Sequence, residues 1–313
     1  MSDDLAGADA LESGAFARAV ARDVLSVSGP DALTYLQGQC SQDLDGLAVG
    51  DSTEALLLSP QGKVDAFVRI TRTGDDSFAL DTDSGGGPVA QARLDRFRLR
   101  TKVAVEALDW ACLSVRGHGA STLDIPGGPT LTLGVEWPSW SGVDLLGPKP
   151  QGDPDLATWL PDGVVWCDEE PWEAARIEAG VPVGGREVTE STIAAEVGLV
   201  ERTVSFTKGC FTGQELVARL DARGSKVARR LWGLVVSGSA RPPVGAEVRT
   251  LDGEHEVGSL SSVAWSAHQG AAVALATLHR RVGAEDQVAV VWDGGEATAD
   301  VRSLPLVAPS HSG

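Results

Sequence analysis

Residues 207–224 read TKGCFTGQELVARLDARG and join a loop to a helix. Thr212 is spaced to cap the first turn, and Glu215, three residues on, to reach back to the cap in a capping box. Leu216, Val217, Ala218 and Leu220 are good helix and core formers, and Gly224 suits the left-handed stop after the last turn. Lys208, Gly209 and Cys210 lie just upstream. A thiol close to a helix start and two residues from a lysine should hold its thiolate more readily than a free cysteine. Taken alone, a lysine-glycine-cysteine run more commonly marks a buried, inert cysteine beside a surface lysine.

Outward from this helix, the N-terminal half alternates short strands and helices. A strand is expected over 24–27, followed by Ser28-Gly29-Pro30-Asp31, a second capping pattern with proline in the first turn. It opens a helix through Ala32, Leu33, Tyr35 and Leu36 that ends near Gly38-Gln39-Cys40. Strands over 53–58 and 64–70 flank the turn sequence Ser59-Pro60-Gln61-Gly62. Val64, Ala66, Val68 and Ile70 alternate with Asp65, Phe67 and Arg69, the pattern of a sheet with one deeply buried face. A short strand over 78–80 and a helix over 89–99 complete this part.

Leu25-Ser-Val-Ser-Gly29-Pro-Asp-Ala32 matches Leu113-Ser-Val-Arg-Gly117-His-Gly-Ala120 at five of eight positions. Each copy would carry a strand through a glycine turn into a helix, so the first two-thirds of the chain would hold two related α+β halves. Residues 137–154 are rich in Gly, Pro and Ser and read as a long loop. Asp168-Glu169-Glu170-Pro171 starts a helix with acids where the helix dipole favours them; it carries Trp172, Ala175 and Ala179 and stops at Gly180. Residues 181–199 show no period. Beyond Arg230 the runs 231–236, 247–250, 257–262, 272–275 and 288–292 are short and β-rich, separated by Pro242-Pro243, Asp252-Gly253 and Gly294-Gly295. That texture predicts a small antiparallel barrel or sandwich and a boundary near residue 227.

At 313 residues the chain has room for two or three domains. Its formal charge of −18 repels phosphate backbones, which argues against nucleic acid or an anionic membrane as a wholesale partner. A local basic patch escapes that argument, and Arg93, Arg96, Arg98, Arg100 and Lys102 form one. It reads either as a docking strip for an anion such as a polyglutamate tail or RNA, or as a solvated face paired with Asp95 and nearby acids. The first residues, MSDDLAGADA, have neither the basic nor the apolar region of a secretory signal, and no apolar run is long enough to span a bilayer. Four cysteines, Cys40, Cys112, Cys167 and Cys210, are far apart with no C-x-x-C, which suits a reducing, cytoplasmic location and argues against a zinc finger. The five histidines have no metal-ligating spacing, so no metal site is expected. A phosphate-binding P-loop, a dinucleotide fingerprint and a nucleophile elbow are also missing from the sequence.

The string Lys208-Gly209-Cys210-Phe211-Thr212-Gly213-Gln214-Glu215 resembles the K-G-C-[FY]-x-G-Q-E signature of the YgfZ family, meeting every fixed position. Residues 29–39 are similar to that family's first helix, Ser59-Pro-Gln-Gly62-Lys63 to its glycine turn, and Arg176-Ile-Glu178-Ala-Gly180 to its R-x-E-x-G element. The likeness runs from about residue 22 to about residue 304. It implies an α+β fold: after a disordered tail over 1–15, a folate-binding body of two related halves over 16–227, like the glycine-cleavage T-protein (aminomethyltransferase), then a β-barrel over 228–313.

The same resemblance implies tetrahydrofolate as cofactor and a part in iron–sulfur cluster assembly or repair, with client or scaffold proteins as partners. Glu178 would face the pterin, since a carboxylate offers two acceptors to its two-donor edge. Arg176, Gln214 and Glu215 would complete the cofactor site, with Cys210 and Lys208 as the working thiol and its cation. Two departures separate the chain from the T-protein. Its acidic pair after the glycine turn is here Asp65-Ala66, and Cys210 stands where the T-protein has an aspartate. Both argue for an assembly factor over a tetrahydrofolate-dependent one-carbon transferase, while the net charge weighs against the other alternative, a tRNA-modification accessory protein.

Overall fold

The computed structural model describes residues 14–138, 140–152, 155–222 and 226–307. In chain order the elements begin with β1 (Ala15–Ala19), β2 (Arg22–Ser28), α1 (Ala32–Gln39), β3 (Ser52–Leu58), β4 (Val64–Gly74), β5 (Ser77–Asp83) and α2 (Gly86–Arg96). There follow β6 (Ala104–Leu108), β7 (Trp110–Gly117), β8 (Leu131–Trp137), β9 (Trp140–Pro148), β10 (Val165–Trp166) and α3 (Glu169–Ala179). Last come α4 (Val200–Thr203), α5 (Gln214–Asp221), β11 (Arg229–Val236), β12 (Glu247–Thr250), β13 (Glu256–Ser266), β14 (Ala271–His279), β15 (Gln287–Trp292) and β16 (Gly295–Arg302). The chain forms two compact units: one from residues up to 20, 112–182 and 228 onward, the other from 21–111 and 183–227.

The second of these units is built on an antiparallel sheet of order β3-β4-β5-β2-β6. Ala66, Val68 and Ile70 of β4 face a core shared with Leu25, Val27, Phe78 and Leu80 of the neighbouring strands, Leu36 of α1 and Leu94 of α2. The opposite side of the same strands carries charge. Arg69 meets Asp81 at 2.9 Å and Arg22 meets Asp81 at 2.6 Å, so both guanidinium groups share one buried carboxylate. The turn between β3 and β4 closes where the Gly62 N–H donates to Ser59 O at 2.8 Å, with Gly62 at φ +74°.

The expected capping pattern at Ser28 is not formed. Ser28 is the last residue of β2, Asp31 is the residue before α1, and no side chain caps that helix. The Asp31 carboxylate instead accepts the Lys102 N–H at 2.7 Å. A long-range partner has displaced the local one.

In the other unit, β10-β1-β7-β9-β8 form a sheet in which β1 and β10 are parallel. Ala15, expected in the tail, opens β1; residues 1–13 lie outside the described residues. The loop expected over 137–154 is largely a strand. β8 and β9 make a hairpin that ends on the cross-strand pair Trp137–Trp140, and Val143, Leu145 and Leu146 are buried. Gly and Pro here mark the turn and close backbone approaches: a Cβ on Gly142 would sit 2.1 Å from Val115 O. Trp137 also stacks edge-on against Trp172 of α3, 5.4 Å between ring centroids. That contact fixes the hairpin from outside its own sequence.

After β10, α3 runs from its acidic first turn to Gly180, which takes the left-handed conformation at φ +71°. The last third of the chain closes a barrel of order β11-β14-β13-β12-β15-β16, antiparallel throughout. Leu234, Val236, Val248, Ala272, Val290 and Val301 are fully buried within it. β16 is a strand beyond the five β-rich runs.

The two repeat copies behave alike at their shared residues. Gly29 (φ +134°) and Gly117 (φ +113°) both end a strand where a Cβ would strike a carbonyl oxygen, Lys102 O at 2.2 Å and Gly14 O at 2.3 Å. Ala32 and Ala120, three residues on, are both fully buried. They differ afterwards: the first copy enters α1, the second a single 3₁₀ turn over Ala120–Thr122.

Candidate functional site

The signature loop belongs to the unit formed by residues 21–111 and 183–227, and it separates its lysine from its cysteine. Lys208 is 9% exposed, and its ammonium donates to Gln42 O at 2.7 Å, Cys40 O at 2.9 Å and Gln37 Oε1 at 3.4 Å. Cys40 Sγ is 4.0 Å from the same nitrogen. Burial lowers the Lys208 pKa from its usual range, while burial raises the Cys40 thiol to about 11 against the pull of that ammonium. Lys208 therefore serves the chain turn after α1, and the expectation that it holds the Cys210 thiolate is corrected. The Cys210 residue is exposed and its thiol makes no hydrogen bond to the described residues. By contrast Cys40, Cys112 and Cys167 are buried, and burial puts Cys167 at about 11 as well.

The capping box expected at Thr212 and Glu215 is also replaced. Gly213 precedes α5 in the left-handed conformation, φ +82°, and no side chain caps the helix. Its Cβ position lies 2.6 Å from Ser59 O and 2.7 Å from Leu58 Cβ, so β3 and the glycine turn leave room for glycine alone. Gln214 is half-buried at the first helical position, and Glu215 is exposed and paired with Arg219 at 3.0 Å. Gly224, the expected stop, lies outside the described residues.

Asp65, the acid that remains after the glycine turn, faces Arg93 of α2 at 3.3 Å. Burial raises its carboxyl above the ordinary range against that guanidinium. Arg93 is itself buried, bound to Gln39 Oε1 at 2.9 Å and Leu58 O at 3.2 Å, with its guanidinium 4.0 Å over the Phe97 ring.

Glu178 and Arg176 stand on α3, in the other unit. Glu178 is 4% exposed; its Oε1 accepts the Ser266 hydroxyl at 2.5 Å and lies 3.9 Å from His268 Nδ1. Its Oε2 accepts no hydrogen bond from the described residues. Burial raises the carboxyl above its usual range, opposed by the Ser266 hydrogen bond and by His268. Arg176 is 3% exposed and fully engaged: it meets Glu173 at 2.6 Å, Ser262 Oγ at 2.5 Å and Val181 O at 2.5 Å. It ties the helix to the barrel strand β13 and to the chain beyond Gly180. No group of three or more His, Cys, Asp or Glu among the described residues is placed to hold a metal ion.

Residues 229–307 match the family model of the glycine cleavage T-protein C-terminal barrel domain. The chain is 28% identical over 258 residues to the tRNA-modifying protein YgfZ of Escherichia coli O157:H7, 74% of each chain. It is 29% identical over 248 residues to the protein of that name in Klebsiella pneumoniae, again 74% of each. The glycine cleavage system aminomethyltransferase T of Bartonella henselae shares the fold, with a TM-score of 0.81 at 20% identity over 97% of this chain and 89% of that one. The chain is thus similar to the YgfZ proteins over about three quarters of its length, and it has the fold of the T-protein.

The sequence signature leaves several partners unnamed. Ser266 and Ser262 on β13 hold Glu178 and Arg176, and no local motif announces them. Cys40 with the Gln42 carbonyl receives Lys208 across more than 160 residues; only the buried apolar face of α1 hinted at that corner. The basic strip divides. Arg93 is internal and Arg98 meets Asp95 at 3.3 Å, whereas Arg96, Arg100 and Lys102 are exposed and form no ion pair among the described residues. No helix of the described residues is long and apolar enough to cross a membrane.

Proposed function

We propose that the chain is a folate-binding accessory protein for the assembly or repair of iron–sulfur clusters, with Cys210 as its working thiol. The carrying observation is the Glu178 carboxylate: nearly out of water, with one oxygen held by Ser266 and the other left as an acceptor. A pterin's paired N–H donors suit such a group, so the residues present fit the cofactor. Tetrahydrofolate, when bound, would supply a one-carbon carrier; Glu178 would orient its ring. Cys210 supports the thiol role by exposure, since the other three cysteines are buried. One thiol cannot complete a cluster's coordination, so a client or scaffold protein would bring the remaining ligands. Gln214 and Glu215 sit in the first turn of α5 beside that thiol in sequence and would border it.

A second reading, an accessory role in tRNA modification, is favoured by the chain's likeness to the tRNA-modifying proteins YgfZ. Titrating tetrahydrofolate into the wild type and Glu178→Gln separates the claims. Loss of one charge-assisted hydrogen bond should weaken binding by about one to two decades, roughly 1.5–3 kcal/mol. Equal affinities would remove Glu178 from the site, and no binding to either protein would remove the cofactor. In a strain lacking the gene, Cys210→Ser should fold yet fail to restore cluster-enzyme activity; full restoration would reduce Cys210 to a surface residue.

A further inference from the structure

The loop that leaves α2 reads Arg96-Phe97-Arg98-Leu99-Arg100-Thr101-Lys102, and the structure presents it as a fixed, basic and partly apolar surface. Leu99 is 84% exposed at its tip and Phe97 37% exposed beside it. The loop is tied down on both sides. Arg98 Nη1 donates to Val103 O at 3.0 Å, Thr101 Oγ1 to Arg98 O at 2.9 Å, and the Lys102 N–H to the Asp31 carboxylate at 2.7 Å. Arg100 holds the left-handed conformation, φ +65°, which is uncommon for a residue other than glycine. The acids nearby, Asp95 and Asp31, are engaged by Arg98 and by the backbone. Arg96, Arg100 and Lys102 are left as three cations without an ion pair among the described residues, in a chain of charge −18.

We propose that this loop is a docking site for single-stranded RNA. Three unpaired cations call for an anionic partner, and a polyphosphate backbone supplies one charge per nucleotide. The apolar part distinguishes RNA from a bare anion. Phe97 already stacks under the Arg93 guanidinium at 4.0 Å and near that of Arg96 at 5.7 Å, so flat groups layer here, and an unpaired base continues such a stack. Leu99 offers an exposed apolar contact for a base or sugar face. A bilayer is the poorer fit: one leucine and the rim of one phenylalanine give it little apolar area, and stable membrane anchoring takes more than a few cations. The proposal does not rest on the folate reading, because it uses no residue of that site.

The test is fluorescence anisotropy of a short, labelled, mixed-sequence single-stranded RNA with the full chain. Binding should weaken between about 50 mM and about 200 mM salt with a log–log slope near −2, from three phosphate contacts at about 0.7 each. The triple substitution Arg96→Glu, Arg100→Glu, Lys102→Glu should lower affinity at least about tenfold at the lower salt. Leu99→Ala should lower it several-fold and leave the slope unchanged. Should the triple variant unfold by circular dichroism, Arg96→Gln and Lys102→Gln made singly should each reduce the slope by about 0.7. No saturable binding by the wild type, or equal binding by the charge variants, overturns the proposal. So does sedimentation with phosphatidylserine vesicles that depends on Leu99 and occurs without RNA binding. Tetrahydrofolate affinity measured on the same variants should be unchanged, which keeps this outcome distinct from that of the folate site.

Discussion

Lys208 and Cys210 are two residues apart and live in different environments. The lysine turns inward onto the carbonyls of Cys40 and Gln42, while the thiol turns out to solvent. Lys208→Met keeps the side-chain length and leaves those carbonyls without their charged donor; a loss of about 2–4 kcal/mol of stability is expected in urea denaturation. A loss below about 0.5 kcal/mol would mean that the buried ammonium does not hold this corner. Glu178 gives the second residue-scale prediction. Burial raises its folded-state pKa, so the folded chain keeps the proton at pH values where the unfolded chain has released it. Its contribution to stability is therefore complete below the unfolded pKa and is lost as pH rises through the folded one. Glu178→Gln cannot ionise, so its stability relative to the wild type should grow from about pH 4 to about pH 7. A difference that stays flat across that range would show that Glu178 titrates as an ordinary carboxyl.

At the scale of elements, the helix behind the signature depends on a glycine and not on a capping side chain. Gly213 adopts φ +82° under Leu58 and Ser59 O, and a methyl group there must move β3 or the turn after it. Gly213→Ala should cost about 2 kcal/mol or more in thermal or urea unfolding. Thr212→Ala should stay within about 0.5 kcal/mol, because no hydrogen bond from Thr212 caps the helix. The reverse order would restore the capping box. The hairpin β8–β9 teaches the same lesson from the other side: its glycines look like loop residues, yet Gly142 and Gly147 lie where neighbouring backbone approaches within 2.8 Å of a Cβ position.

The whole molecule is two units threaded by four passages of the chain, and the barrel in one of them leaves no strand unpaired. β16 closes it by pairing with both β11 and β15 and buries Ala299 and Val301 completely. Ending the chain before Gly295 would open two long edges and uncover the Leu234–Val290 core. The truncated protein should form high-molecular-weight species on size-exclusion chromatography at micromolar concentration, where the full chain elutes as a discrete peak. A discrete, folded truncate would mean that β16 is dispensable to closure.

The sequence by itself determined the elements whose signals are local. Alternation in β4, the apolar faces of α1 and α2, the acidic start and glycine stop of α3, and the short strands after residue 228 all follow from neighbours a few residues apart. The signature string likewise pointed to the YgfZ proteins, to which the chain is similar over about three quarters of its length. Tertiary structure alone decided where the polar atoms go. Asp31 and Lys208 each found partners tens to hundreds of residues away, Lys102 N and the Cys40–Gln42 carbonyls, in preference to the capping or pairing partner beside them in sequence. Arg93 and Arg96, three residues apart in one helix, became an internal guanidinium and a surface one. A hydrogen-bonding group removed from water must be satisfied by whatever the fold brings to it, and spacing along the chain carries no record of that distant partner.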